Sequence, residues 1–202
     1  MSFGFLETAV ADVVARSPME RQAKAAGARF EVRDGWNVAV SFPGESLDAV
    51  GFADASHTRK YELQGELPAL ELGRATVDGE RTWLPMTTSR ALILGGEAPA
   101  GAIEVTTGFG ALRLAGPLAR ETFARFTAID LRPQHTSPGD WRPGSVARAG
   151  GGILCEAEDR YLMLFGSALG QYVWTVVADA AGHLGGGPVG ADALVQEATA
   201  RA

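Results

Sequence analysis

The chain of 202 residues is poor in cysteine and histidine, with one cysteine, Cys155, and three histidines. A single cysteine excludes a disulfide within the chain, and so few thiol and imidazole groups argue against a structural zinc site. We therefore expect no metal and a location in the reducing cytoplasm. Cys155 lies in an apolar run, where a free cysteine usually packs in the core, so we predict a structural role for it.

Basic clusters and long apolar runs are missing as well. The chain has 18 Lys and Arg residues against 24 Asp and Glu residues, a formal net charge of −6, whereas nucleic-acid binding needs clustered positive charge. No segment approaches the roughly 18 to 20 apolar residues of a membrane-spanning helix. The first residues carry acidic side chains inside their apolar run and no basic start, unlike an export signal. We expect neither a nucleic acid nor a membrane as partner.

Apolar residues suited to a core are abundant. They make up 46% of the chain, which is enough to fill one large domain. We predict a single domain over residues 1–202, with two subdomains at about 1–100 together with the last helix, and at about 101–180.

Alternating apolar runs predict three hairpins. Asp34-Gly35 and Asp78-Gly79 each stand between two such runs, and this dipeptide favours the positive φ angles of a tight hairpin turn. The paired runs are residues 28–32 with 36–40, 74–77 with 81–84, and 153–156 with 161–165. Residues 132–151, rich in proline and glycine, are predicted as an extended loop that holds at most a short strand at 145–148.

Apolar residues at helical spacing predict the helices. The predicted helices cover residues 3–16, the segment after Gly116, the run from Leu169 to a stop at Gly182, and a polar, alanine-rich end at 191–202. Two of these helices follow a strand that ends in a glycine, which makes a strand–glycine–helix unit. Residues 51–65 repeat the strand and its final glycine, and Pro68 cuts short the helix that would follow. Strands and helices in this order predict an α+β protein with mainly antiparallel sheets.

Motifs for binding a nucleotide cofactor are absent from the sequence. Gly150–Gly152 and Gly185–Gly187 lack the lysine and hydroxyl of a phosphate-binding loop, and no dinucleotide fingerprint follows a predicted strand. Flavin or nicotinamide chemistry would therefore need another chain.

Asp54, Ser56 and His57 form the most polar cluster in an otherwise apolar neighbourhood. One interpretation is a loop whose Asp and Ser side chains hydrogen-bond nearby backbone. A second is the wall of a ligand pocket. A third, a hydrolytic Ser-His pair, is disfavoured because adjacent residues of an extended chain point to opposite sides. Four tryptophans are interpreted as core or interface anchors, namely Trp36, Trp83, Trp141 and Trp174.

Short motifs recur in a recognisable order: Gly27-Ala28, Gly35-Trp36, Asp54-Ala55-Ser56-His57, and a strand that ends at Gly65. With Gly187-Pro188-Val189-Gly190 near the end, this order resembles the glycine-cleavage T-protein (aminomethyltransferase) superfamily. The resemblance covers nearly the whole chain and implies a folate-binding type of fold without the C-terminal barrel of the T-protein.

Three further segments resemble the gamma subunit of heterotetrameric sarcosine oxidase, which is similar in length. They are Asp130-Leu131-Arg132-Pro133, Pro143–Arg148, and Tyr172-Val173-Trp174. The resemblance implies a non-catalytic subunit that supports a larger flavin- and folate-carrying subunit. It places FAD, FMN and NAD on partner chains and leaves none bound by this chain alone.

The sequence departs from the superfamily pattern at the motif positions with which that family binds folate. Asp78-Gly79 is followed by Glu80-Arg81-Thr82 and not by the expected aspartate, and the Gly-Tyr-x-Gly-Glu element has no match. Glu156 and Glu158 are the nearest candidates for its glutamate. We therefore expect no catalytic residue here, and name Asp54, Ser56, His57, Glu156 and Glu158 as candidate ligand-binding residues. The alternatives are a free-standing tetrahydrofolate-binding protein and an aminomethyltransferase-like one-carbon enzyme.

Overall fold

The structure is a computed structural model, and it describes residues 13–200. In chain order the strands are β1 (Ala15–Arg16), β2 (Arg29–Arg33), β3 (Trp36–Ser41), β4 (Gly51–Asp54), β5 (Lys60–Gln64), β6 (Thr76–Asp78), β7 (Arg81–Thr87), β8 (Arg90–Leu94), β9 (Ile103–Glu104), β10 (Phe109–Ala115), β11 (Trp141–Val146), β12 (Ala149–Ala157), β13 (Arg160–Gly166) and β14 (Gly187–Pro188). The α-helices are α1 (Glu20–Ala25), α2 (Ala119–Ala124), α3 (Gly170–Gly182) and α4 (Ala191–Ala200).

The strands form three sheets. A three-stranded sheet has the order β1-β3-β2, a six-stranded sheet the order β11-β12-β13-β10-β4-β14, and a five-stranded sheet the order β6-β7-β8-β5-β9. Within the described residues, the parallel pairs are those of the short strands β1 with β3 and β14 with β4. The prediction of an α+β fold with mainly antiparallel sheets is confirmed, and no sheet of the described chain closes into a barrel. The subdomain division stays a prediction.

The six-stranded sheet lies at the centre because both of its faces are covered. Side chains alternate between the faces of a strand, so Leu112 and Leu114 of β10 pack with α3 in the largest core cluster, where Val173 and Val177 are buried. Ala111 points the other way, into a cluster that includes Leu84 and Leu92 of the five-stranded sheet. The Leu194 side chain of α4 covers the remaining part of that second face.

The predicted hairpins form, with one change of register. Asp34 and Gly35 adopt φ angles of 48° and 76° between β2 and β3, as the Asp-Gly turn predicts. At the second hairpin Asp78 pairs with Arg81, so the two turn residues are Gly79 and Glu80 and not Asp78-Gly79. The third hairpin joins β12 to β13 as predicted.

The prediction of an extended loop over residues 132–151 is wrong in its second half. Residues 141–146 form β11, which pairs with β12 along its whole length. Pro143 is tolerated because β11 is the edge strand of its sheet, where a missing N–H breaks no ladder on the open side. Ala147 and Arg148 make the tight turn at φ 49° and 61°, a conformation that sequence patterns assign to glycine or asparagine.

The N-terminal helix prediction is wrong where the structure can be compared with it. Its residues 3–12 lie outside the described residues. Val13 and Val14 have no regular structure, and Ala15–Arg16 is β1, which pairs with Trp36 and Asn37 of β3. The sequence analysis missed the short helix α1 that follows.

The strand–glycine–helix unit is confirmed in two of its three copies. Gly116 (φ 118°) ends β10 before α2, and Gly166 ends β13 before the turn into α3. Gly65 (φ 109°) ends β5, but no helix follows it. A single 3-10 turn at Thr106–Gly108 joins β9 to β10, but the two strands do not pair with each other, since β9 joins β5 while β10 joins β4 and β13.

The chain returns to the six-stranded sheet through a glycine that has no room for a side chain. A methyl group on Gly186 would overlap the carbonyl oxygen of Val50, whereas a methyl group on Gly187 would meet nothing within 4 Å. The Gly187 amide then donates to Val50 O at 3.1 Å as β14 starts. The close backbone approach therefore requires glycine at position 186 but not at position 187.

We predict that Gly186→Ala lowers the free energy of unfolding by about 1 to 3 kcal/mol, because the added methyl group forces the two backbones apart. Gly187→Ala is the matched control and should change it by less than about 0.5 kcal/mol. Urea unfolding of the three proteins measures both values. Equal stability of the two variants would contradict the close approach.

Candidate functional site

The candidate site surrounds the loop that carries the chain from the six-stranded to the five-stranded sheet. β4 ends at Asp54, β5 begins at Lys60, and five residues connect them. Backbone hydrogen bonds anchor both ends, from Ala55 N to Ala111 O and from Gly95 N to Arg59 O, each at 2.9 Å. The loop thus has a defined conformation that places His57 and Thr58 beside a surface cleft.

Asp54 and Ser56 serve the local backbone. The Ser56 amide donates to Asp54 Oδ1 at 2.9 Å, and the Ser56 hydroxyl accepts a hydrogen bond from the Ala111 amide at 3.1 Å. Ser56 is fully buried. The interpretation of a loop whose side chains hydrogen-bond nearby backbone is therefore confirmed for Asp54, whereas the Ser56 hydroxyl bonds a residue of β10 that is distant in sequence. A buried, bonded hydroxyl is poorly placed to act as a nucleophile.

Lys60 holds the loop from inside. Its side chain is fully buried, and its ammonium group donates to Ser56 O at 2.9 Å and to Thr58 O at 2.8 Å. Burial lowers the pKa of Lys60 to about 8, while the charge of Asp54 opposes that shift. The bonded ammonium group satisfies the carbonyl of the buried Ser56 and that of the half-buried Thr58.

His57 lines a cleft of about 590 Å³, a volume typical of small-molecule sites. Burial lowers the pKa of His57, the charge of Asp54 raises it, and Lys60, Arg113 and Arg33 lower it further. The imidazole is therefore neutral at pH 7. The charged and aromatic side chains that line the cleft with it are Asp34, Trp36, Arg59, Glu80, Glu97 and Glu104.

Glu156 lies on the other face of the six-stranded sheet. Asp54 pairs with Leu112 of β10 and shares its sheet face. The next residue of β10, Arg113, points to the opposite face. There the Arg113 guanidinium donates two hydrogen bonds, of 2.7 and 2.8 Å, to the Glu156 carboxylate. Arg160 donates to the same carboxylate at 3.2 Å. The structure therefore does not bring Glu156 together with Asp54, Ser56 and His57.

Glu158 and Cys155 are also distant from the cleft residues in the fold. Glu158 lies in the turn between β12 and β13, where its carbonyl oxygen accepts hydrogen bonds from Arg120 and from the Tyr161 hydroxyl, each at 3.0 Å. It borders a different cavity of about 360 Å³. Cys155 is buried and burial raises its thiol pKa to about 11, which agrees with the predicted structural role.

Two solved structures have a similar fold. A chain of heterotetrameric sarcosine oxidase from Corynebacterium sp. U-96, in complex with pyrrole 2-carboxylate, matches with a TM-score of 0.66 and 16% identity over 84% of this chain and 96% of that chain. Glycine cleavage system aminomethyltransferase T from Bartonella henselae matches with a TM-score of 0.70 and 15% identity over 89% of this chain. This chain spans 60% of that second protein. The chain has a T-protein-like fold.

The sequence itself gives no independent support for a finer assignment. No family model matches it, and no curated protein matches it. At these identities the likeness to the two structures establishes the T-protein-like fold alone.

The described residues contain no group of three or more potential metal ligands. None of the helices formed by residues 13–200 is long and apolar enough to cross a membrane.

The sequence analysis missed the residues that shape this cleft. Lys60 was read as part of an alternating strand, although it is as buried as the core. Trp36 borders the cleft, whereas Trp83, Trp141 and Trp174 are buried in the core as predicted. Glu80 lines the cleft although the expected aspartate of that region is missing. Only Glu80 carried a local signal, because it directly follows a predicted turn.

We predict that Lys60 makes the protein more stable as pH rises from about 8 towards 10. Between its folded pKa of about 8 and the ordinary lysine value of about 10.4, the unfolded chain binds a proton that the folded chain does not. The free energy of unfolding then increases by at most about 1.4 kcal/mol per pH unit. Urea unfolding across this pH range should show that Lys60→Met lacks this increase in the free energy of unfolding.

Lys24→Met is the matched control, because Lys24 and Lys60 are the two lysines of the chain and Lys24 is half-exposed on α1. It should keep the pH dependence of the unmodified protein. Identical pH profiles for the unmodified protein and a folded Lys60→Met variant would contradict the buried ammonium group.

Proposed function

We propose that this chain is a non-catalytic, gamma-type subunit of a heteromeric sarcosine-oxidase-like complex that oxidises an amine in one-carbon metabolism. The observation that carries the proposal is the match over 96% of a chain from heterotetrameric sarcosine oxidase. Because that match uses 84% of this chain, the matched chain is the shorter of the two. The likeness therefore extends over a whole small subunit and not over one domain of a large one.

The arrangement of the predicted site residues supports a scaffolding role. Asp54 and Ser56 bond the backbone, and Glu156 is neutralised by two arginines on the other sheet face. These side chains stabilise the fold and leave no nucleophile paired with a base. We propose that flavin and nicotinamide cofactors are bound by partner subunits.

The subunit proposal predicts a stable complex with a flavoprotein. Co-expression of the tagged chain with the genes that flank its own gene should yield a complex that elutes as one species and carries flavin absorbance. Cells that express the same genes without the tagged chain provide the control. A monodisperse lone monomer, with no flavoprotein recovered alongside it, would count against the proposal.

The second candidate is a free-standing tetrahydrofolate-binding protein, and the carboxylates of the cleft favour it. The N–H groups of a pterin ring need acceptors, and Glu80, Glu97 and Glu104 line the same cleft as His57. The residues present therefore fit the donor pattern of the pterin. They would hold tetrahydrofolate, which supplies a carrier for a one-carbon unit when bound.

Calorimetric titration of the isolated chain with tetrahydrofolate separates the two candidates. The subunit proposal predicts no saturable binding by the chain alone. The folate-binding candidate predicts micromolar binding that weakens at least about tenfold in Glu80→Gln, the loss of one charge-assisted hydrogen bond. Glu121→Gln on exposed α2 is the control and should bind as the unmodified chain does.

A further inference from the structure

Two cavities of very different size share a wall near His57. The outer cleft of about 590 Å³ is open to solvent, and a second cavity of about 10 Å³ lies between β3 and the end of β4. Trp36 and His57 line both cavities. His57 therefore lies between the cleft and the small inner cavity.

The inner cavity has the size and the chemistry of a site for one water molecule. A buried water needs about 10 to 15 Å³ and two to four polar partners. Ser17, Asn37, Asp54 and His57 supply polar groups around this cavity, and Ala39 supplies part of its apolar wall. Asp54 uses Oδ1 for the Ser56 amide, which leaves its second carboxylate oxygen as an acceptor for a water.

Burial, assisted by nearby cations, favours the neutral form of the His57 ring, which has one N–H donor and one nitrogen acceptor. Burial lowers its pKa, and the Lys60, Arg113 and Arg33 cations add to that effect against the single opposing charge of Asp54. A neutral ring whose N–H is fixed by a bond on one side has its acceptor nitrogen on the other.

On the cleft side, negative groups outnumber positive ones. Asp34, Glu80, Glu97 and Glu104 line the cleft with Arg59, and Trp36 forms an aromatic wall. A cation is attracted both by carboxylates and by the face of an indole ring. The cleft chemistry therefore matches a ligand that is positively charged and donates hydrogen bonds.

We propose that one water in the inner cavity accepts the His57 N–H and donates to Asp54, so that the second ring nitrogen faces the cleft as acceptor for a small ammonium ligand. The water fixes the ring tautomer, which makes Asp54 a positioning residue. His57 and Trp36 contact the ligand. The inference concerns the isolated chain and stands independently of the subunit proposal.

NMR of the full chain tests the ligand site, because His57, His135 and His183 are its three histidines. Methylammonium chloride should shift the His57 ring and Trp36 indole resonances saturably and leave His135 and His183 unchanged. Tetramethylammonium, which has no N–H, should bind at least several-fold more weakly, and sodium acetate should shift neither residue. Absence of a saturable shift at His57 would overturn the ammonium site.

Two variants test whether a water links the His57 N–H to the Asp54 carboxylate. Asp54→Asn should lower the His57 pKa further and weaken methylammonium binding about tenfold. Ala39→Val keeps the carboxylate but adds two methyl groups at a residue that lines the inner cavity, and it should move the His57 pKa and the affinity in the same direction. Ala124→Val, on the exposed side of α2, is the matched control and should change neither value.

Amide spectra establish that each variant is folded before it is titrated. A folded Ala39→Val protein with the His57 pKa and methylammonium affinity of the unmodified chain would exclude the water. If Ala39→Val does not fold, an unchanged methylammonium affinity in Asp54→Asn would overturn the link, and a weakened one would support it.

Discussion

A buried lysine holds the point where the chain passes between its two largest sheets. The Lys60 ammonium group bonds two carbonyls of the loop that leaves the six-stranded sheet at Asp54 and enters the five-stranded sheet at Lys60 itself. An unpaired ammonium group in such a position would be costly, and so would the carbonyl of the buried Ser56 without a donor. Each satisfies the other, and the cleft beside His57 depends on the conformation that results.

Because the six-stranded sheet lies between two layers, its two faces determine which side chains can contact one another. Residues that pair across its strands share a face, while neighbours along a strand point to opposite faces. Asp54 therefore belongs with α3 and the three-stranded sheet, and Glu156 belongs with Arg113 and Arg160 on the face that α4 and the five-stranded sheet cover. Two carboxylates that the sequence alone does not distinguish, Asp54 and Glu156, thus stabilise different parts of the fold.

The fold and the cleft support different parts of the functional proposal. The T-protein-like fold, matched over a whole chain of a heterotetrameric oxidase, supports a subunit role. The cleft adds a place where such a subunit, or the chain alone, could take a small ligand, because carboxylates, an indole ring and a neutral imidazole converge there. A scaffolding function and a ligand site are compatible, since the Ser56 and Lys60 side chains that stabilise the loop do not line the cleft, and Asp54 lines only the small inner cavity.

The sequence by itself determined the features that depend on neighbouring residues. The Asp34-Gly35 turn, the hydrogen bond between the Asp54 carboxylate and the Ser56 amide, and the apolar stripe of α3 with its stop at Gly182 all follow from local conformational preferences and helical spacing. The order of short motifs also pointed to the fold.

Only the tertiary structure decided the features that depend on distant strands. Residues 141–146 form an edge strand because β12 offers a partner, despite Pro143 and the glycines around it. Lys60 is buried because the loop carbonyls and Asp54 surround it, and Glu80 reaches the cleft because a hairpin in another sheet ends there. Burial and pairing arise between segments far apart in sequence, so no local pattern encodes them.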